Sequence, residues 1–161
     1  MNKQGDFIKL IREHEGIIYK ISRVYFEQDE DQKDLYQEIV YQLWKSYDSF
    51  NSQSKWSTWM YRVALNTAIS SLNRQKKGLR KVNSDHLDQL KMEPFDPVME
   101  QRVDWLYKSI QDLTVVEKGI ILLYLEGKSH EEISNITGFS TTNIGTRISR
   151  IKQKLKKQIA K

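Results

Sequence analysis

Ser140, Thr141, Thr142 and Asn143 place four short hydrogen-bonding side chains in a row, and Thr146, Arg147 and Arg150 follow at helical spacing. Short hydroxyl and amide groups reach base edges and phosphates, and an arginine fork can engage two acceptors of a guanine or a phosphate at once. A second set joins aromatic rings to positive charge. Phe50 and Trp56 lie in or beside a polar segment, just ahead of Arg62, Asn66, Arg74 and Lys77. Aromatic faces beside basic side chains are the combination that holds unstacked bases. Both sets point to recognition of nucleic acid and not to bond-making.

Other chemistry finds less support. His14, His86 and His130 are far apart and have no ligand spacing, and cysteine is absent. Thiolate metal sites and disulfides are thereby excluded, which suits a reducing compartment. No glycine-rich phosphate loop and no Ser/His/Asp or Cys/His set is present. The acids of Asp29, Glu30, Asp31, Asp34 and Glu38 could in principle hold a magnesium ion, but acids at a helix start are commonly a solvated surface favoured by the helix dipole. No catalytic residue, cofactor, metal or small-molecule ligand is therefore expected, and the chain is expected not to be an enzyme.

Charge is distributed in blocks. The net charge is +5 over 161 residues. Arg74, Lys76, Lys77, Arg80 and Lys81 form one basic run, and Arg147, Arg150, Lys152, Lys154, Lys156, Lys157 and Lys161 another, with no acid after Ser140. Two basic segments suggest two contacts with a polyanion, while the acidic stretch would repel it and should face solvent or a protein. The chain opens without an apolar signal core, and no run approaches the ~20 apolar residues of a membrane span. A cytoplasmic location is the expectation.

These residues need helices to position them. Sustained strand alternation is absent, and the spacing predicts an all-α chain of two small helical domains joined by a flexible linker. Its only prolines, Pro94 and Pro97, sit at the end of a polar, poorly periodic stretch. The expected division is residues 1–81, a linker 82–98, and residues 99–161. In the first part, Phe7, Ile11, Ile18, Ile21 and Tyr25 share one helical face. Leu35, Ile39, Val40, Leu43 and Trp44 form a second helix, entered through the acids. A polar turn, Asp48 to Ser57, precedes a third helix from about Thr58 to Arg74, with Trp59, Met60, Val63, Ala64, Ala68, Ile69 and Leu72 toward the core. Arg62, Asn66, Ser70, Asn73 and Lys77 run down that helix as one polar stripe.

The second part is punctuated more sharply. Val103, Leu106, Tyr107 and Ile110 mark a helix. Thr114 with Glu117, and Ser129 with Glu132, each read as a capping box. Gly127 ends one helix, and Gly138 suits a left-handed turn residue. Ser140 can cap the last helix, whose Ile144, Ile148, Ile151 and Leu155 form its apolar stripe. A short capped helix, a glycine turn and a longer basic helix make a helix-turn-helix over Ser129 to Lys157. The plain alternative is a helical hairpin with a solvated basic tail.

The order of these motifs resembles a known family. Asp34 to Trp44 (DLYQEIVYQLW) is similar to region 2.2 of the sigma-70 family of RNA polymerase sigma factors. Trp56 to Asn66 (WSTWMYRVALN), through Asn73 and Arg74, resembles regions 2.3 and 2.4. Glu126 to Ile133 (EGKSHEEI), with Gly138 to Ser140 and Arg147 to Arg150, resembles region 4.2. The short two-domain plan looks like the extracytoplasmic-function, or group IV, type. The resemblance implies a bacterial factor directing promoter-specific transcription initiation, with promoter DNA and the RNA polymerase core as partners. Residues 1–81 would be region 2, binding core polymerase and melting the −10 element, and residues 99–161 region 4, reading the −35 element. It implies that Asp34, Gln37, Glu38, Tyr41, Leu43 and Trp44 dock on the polymerase. The Asp48 to Ser57 turn, with Phe50, Ser54 and Trp56, would cup a base flipped from the −10 element, and Arg62, Asn66, Arg74 and Lys77 would line the DNA. Ser140, Thr141, Thr142, Asn143, Thr146, Arg147 and Arg150 would read the −35 element. Family members are often held by an anti-sigma factor, which makes one a candidate partner. One departure stands out: many members carry lysine where this chain has Gly145.

Two further functions fit the residues less well. A stand-alone helix-turn-helix regulator would need a palindromic operator and a dimerisation module, and no dimer heptad or ligand pocket is evident. A metal-dependent nucleic-acid enzyme would have to use the acidic cluster, for which the spacing offers no geometry.

Overall fold

A computed structural model describes residues 3–50, 55–76, 78 and 97–159. The described residues form seven α-helices and one 3-10 turn, with no strand. The chain divides into two compact units, Met1–Asn83 and Ser84–Lys161. Most of the expected linker, residues 82–96, lies outside the described residues, and the first helix of the second unit begins at Pro97. Proline suits that position because its fixed φ and missing N–H cost nothing in a first helical turn.

The first unit is a three-helix bundle of α1 (Lys3–Tyr25), α2 (Asp29–Ser46) and α3 (Trp56–Lys76), each packed on the other two. Phe7, Ile11, Ile18, Ile21 and Tyr25 of α1 are all buried, as their spacing requires. They meet Leu35, Ile39 and Leu43 of α2 and Met60, Tyr61, Ala64, Leu65 and Ala68 of α3 in one core. Ala64 and Ala68, one turn apart, keep the contact face of α3 flat. Ser22 is buried too, but its hydroxyl donates back to the Ile18 carbonyl at 3.0 Å, so no polar atom is stranded there. Between α1 and α2, the Gln32 side-chain amide donates to the carbonyls of Phe26 (2.8 Å) and Glu27 (3.3 Å). That bond closes the turn and supplies the carbonyls following α1 with donors.

The third helix starts at Trp56, two residues ahead of the expected Thr58, because the Trp59 N–H already bonds to the Lys55 carbonyl at 3.2 Å. The polar segment before it is correspondingly shorter. It opens with the 3-10 turn Tyr47–Ser49.

In the second unit, α4 (Pro97–Ile110), α5 (Val115–Leu125) and α6 (His130–Thr137) pack against the long α7 (Thr141–Ile159). Helix α5 is buried along its whole middle, Gly119 to Leu123, because α6 and α7 flank it. Both capping boxes form. The Thr114 Oγ1 accepts from the Glu117 N–H at 3.2 Å while the Glu117 carboxylate accepts from the Thr114 N–H at 2.9 Å. Ser129 and Glu132 repeat this at 3.1 and 3.2 Å. Gly138 adopts φ 88°, a left-handed conformation open to glycine at little cost, and this reverses the chain between α6 and α7. Among the described residues no helix is long and apolar enough to cross a membrane.

Candidate nucleic-acid interfaces

The recognition face of α7 is built from its caps upward. Ser140 Oγ accepts from the Asn143 N–H at 3.1 Å, which starts the helix and leaves Ser140, Thr141, Thr142 and Asn143 exposed around its first turn. Ile144, Ile148 and Ile151 are buried against the rest of the unit, so the opposite side of α7 faces outward. Thr146 and Arg150 are exposed there and Arg147 is half-buried. The seven residues singled out for this helix thus share its outward N-terminal half. The Thr146 hydroxyl donates to the Thr142 carbonyl at 3.2 Å. Arg147 is held on two sides: Nε donates to Asn143 Oδ1 at 2.5 Å, and the guanidinium carbon lies 4.4 Å from the centre of the Phe139 ring.

The basic run of α7 does not act as one block. Lys154 Nζ bonds both oxygens of Glu117, at 2.7 and 2.9 Å, and Lys152 Nζ lies over the Tyr124 ring at 4.5 Å. Gln158 donates to Asp112 at 2.7 Å. These side chains tie the C-terminal half of α7 to α5 and to the turn before it. Positive charge for a polyanion is therefore concentrated at Arg147 and Arg150, with Lys156 and Lys157 exposed beyond. Burial pushes the Glu117 carboxyl upward, but the hydrogen bonds from Lys154 and Thr114 and the Lys154 charge outweigh it and hold it below its ordinary value. Gly145 leaves its outer side open, and a Cβ there would meet only the His130 imidazole, at 3.6 Å. This position looks along the α6–α7 junction, so a side chain here would have to pass His130.

The first unit carries the aromatic set. Phe50 packs edge-on to Trp56 (5.6 Å) and tilts against Trp59 (5.4 Å), and the two tryptophans are 4.7 Å apart. Trp59 is half-buried within this cluster, although its helical position suggested a core residue. The α3 core instead takes Tyr61 and Leu65, because α1 and α2 both press on the helix and widen its buried arc. Tyr47 touches Trp56 at 6.0 Å and continues through Phe7 to Trp44, so the rings of α1, α2 and α3 form one connected band. Spacing within single helices could not reveal this band, because Phe7 and Tyr47 join it from different elements. The buried Trp56 Nε1–H has no hydrogen-bond partner among the described residues. A wall of rings can stack on a planar base. Ser54 and Lys77, assigned to the same surface, lie outside the described residues. Arg62 and Asn66 are exposed along α3, as the polar stripe required.

Helix α2 presents a different surface. Tyr41 is 59% and Trp44 40% exposed, large apolar groups left uncovered in the outer face of the bundle. Asp34, Gln37 and Glu38 are half-exposed near them. Leu43 is 0% exposed and belongs to the bundle core, so it cannot touch a partner and supports this face from beneath. Glu38 is also engaged within the fold: its carboxylate is paired with Arg74 of α3, and Asp31 accepts from Gln75 beside it at 3.3 Å. One residue assigned to a protein contact and one assigned to DNA are thus joined. Among the described residues no three His, Asp or Glu side chains converge as metal ligands.

Comparison with known proteins matches the sequence to two family modules. Residues 10–78 match the model of sigma-70 region 2, and residues 104–155 that of sigma-70 region 4. The chain is 26% identical over 155 residues to the RNA polymerase sigma factor SigV of Bacillus subtilis (strain 168), spanning 96% of this chain and 91% of that one. It is 28% identical over 144 residues to the ECF RNA polymerase sigma-E factor of Escherichia coli (strain K12), spanning 80% and 74%. Among solved structures, CnrH in complex with the cytosolic domain of CnrY aligns with a TM-score of 0.73 at 18% identity, over 99% of this chain and 90% of that one. The sigma factor RpoE of Bartonella quintana, in complex with the anti-sigma factor NepR, aligns equally well, TM-score 0.73 at 18% identity over 96% and 97%.

Proposed function

The chain belongs to the sigma-70 family of RNA polymerase sigma factors, among relatives of the extracytoplasmic-function type, and from that premise we propose how its two units divide the work. The first unit, within residues 1–81, docks on the polymerase core through the α2 face. Tyr41 and Trp44 supply the apolar contact there, and Asp34, Gln37 and Glu38 its polar rim. Exposed aromatic side chains with a charged border are what a protein interface uses for its anchors. The same unit reads and opens the −10 element. Phe50, Ser54 and Trp56 receive an extruded base, while Arg62, Asn66, Arg74 and Lys77 follow the strand. Extrusion costs a few kcal/mol, which ring stacking on the aromatic cluster would offset.

The second unit, within residues 99–161, reads the −35 element by placing the start of α7 in the major groove. The observation that carries this is the capped, outward-facing first half of α7, where Ser140 to Asn143, Thr146 and Arg150 stand exposed, with Arg147 half-buried among them, opposite a buried isoleucine stripe. The factor acts in the cytoplasm and is not itself an enzyme; RNA synthesis belongs to the polymerase. An anti-sigma factor is proposed as a further partner, because both structural neighbours were solved with a bound protein, one of them an anti-sigma factor.

The test is reconstitution. The purified chain is added to sigma-free core polymerase with a library of promoter fragments, and transcripts are mapped. Initiation from a discrete promoter class is expected. Failure to bind core, or to start any transcript, would overturn the proposal. Tyr41→Ala is expected to weaken core binding more cleanly than Trp44→Ala, since Trp44 also stacks on Phe7 at 5.0 Å.

A further inference from the structure

Phe139 lies in the turn before α7 and has no part in the recognition set above. Its backbone is fixed at both ends: its carbonyl accepts from Ser134 Oγ at 2.5 Å, and its N–H donates to Thr137 Oγ1 at 3.3 Å. Gly138, at φ 88°, sets the direction in which the chain arrives. The ring then lies under the Arg147 guanidinium, 4.4 Å from ring centre to guanidinium carbon. From the other side Asn143 Oδ1 accepts the Nε–H. Asn143 is itself anchored, because its N–H bonds the Ser140 cap at 3.1 Å. The two terminal guanidinium nitrogens have no partner among the described residues.

We propose that Phe139 is the positioning residue for Arg147, holding the guanidinium plane so that its two free nitrogens form a preset fork for a guanine edge or a backbone phosphate. A free arginine side chain must freeze several torsions to make a bidentate contact, whereas a stacked and tethered one has already lost them. Asn143 pays part of its own recognition capacity for this. With one lone pair of Oδ1 engaged by Arg147, its amide N–H groups and one acceptor lone pair remain for DNA, and the bond to Arg147 fixes the direction in which the amide is presented. Discrimination at the base step under Arg147 thus depends on a ring that does not touch DNA.

This rests on the proposal that α7 reads the −35 element, and the experiment separates the two. Holoenzyme is assembled from the full chain and sigma-free core, and a −35 duplex is recovered by selection from a randomised library. Phe139→Leu keeps an apolar side chain in the turn but removes the π face. It is expected to weaken binding about three- to five-fold, the scale of an exposed cation–π contact. Phe139→Trp should restore it. In an Arg147→Ala background the Phe139→Leu change should cost nothing further, and the loss in the parent should concentrate at the base pair to which Arg147→Ala is itself blind. An equal loss in both backgrounds, or none in either, would overturn the positioning role while leaving the −35 reading intact. A library yielding no preferred duplex would overturn that reading, and this inference with it.

Discussion

Gly145 sits inside α7, and a glycine inside a helix costs roughly 1 kcal/mol relative to alanine. A Cβ there would make an ordinary contact with His130 at 3.6 Å and nothing closer. Gly145→Ala should therefore raise the stability of the second unit by about 0.5–1 kcal/mol, read as an upward shift of the urea midpoint at unchanged slope. A lower midpoint would mean that the glycine is needed for close approach of α6. Glu117 is the opposite case, a residue with two tasks. It closes the α5 capping box and holds Lys154 of α7, so its carboxylate is favoured over its acid form. Because the folded pKa is depressed below the ordinary 4.5, this stabilisation is fully present above the unfolded value and is lost as pH falls through the folded one. Glu117→Gln should cost about 1–2 kcal/mol near neutral pH. It should also flatten the acid limb of the stability curve below pH ~4.5. An unchanged acid limb would show that other carboxylates dominate it.

Helices α2 and α3 make the corresponding point between elements. The Glu38–Arg74 pair crosses their contact. An exposed pair contributes only about 0–1 kcal/mol, so neither Glu38→Ala nor Arg74→Ala should unfold the bundle. The two should be non-additive in function, since removing Glu38 also releases Arg74 from its tether. A double-mutant cycle on core affinity is expected to give a coupling of roughly 0.5 kcal/mol or more. Strict additivity would mean that the pair is absent in solution. Such a pair was not legible in the sequence, because thirty-six positions separate its members and only the packing of α2 on α3 brings them together. The second unit was far more legible. Thr114, Ser129, Gly138 and Ser140 act locally, through bonds spanning three or four residues, so each boundary follows from its own short segment. Periodicity was weakest for α3. A helix pressed by two neighbours buries Tyr61 and Leu65 beside Met60, Ala64 and Ala68, leaves Val63, Ile69 and Leu72 only partly covered, and leaves Trp59 half-exposed among Phe50 and Trp56. Leu43 shows the same limit on α2: its place in a docking motif did not reveal that it points inward.

At the scale of the molecule, the proposed division of work makes the helix-turn-helix half of a reader. Its positive charge at the groove is concentrated at Arg147 and Arg150, because Lys154 is neutralised by Glu117 and Lys152 is held over the Tyr124 ring farther along the helix. Few phosphate contacts mean modest affinity for duplex alone, and a shallow dependence on salt. Tight promoter binding must then come from joining two weak contacts on one scaffold, where the second forms at a high effective concentration only if the geometry allows both. The spacing between the −35 and −10 elements becomes the sensitive variable. Inserting or deleting about 5 base pairs turns one element by roughly half a helical turn relative to the other. Holoenzyme should then lose at least about ten-fold in initiation from a promoter that needs both elements, as expected when one of two linked contacts is lost. Duplex binding by the free chain should not change, because it engages only the −35 element. Arg147→Ala should reproduce the loss at the parent spacing and add little at the altered one, where α7 is already off its site. If transcription tolerated the half-turn, the two units could not be acting together on one face of the DNA, and α7 would serve the polymerase in some way other than by reading a fixed upstream element.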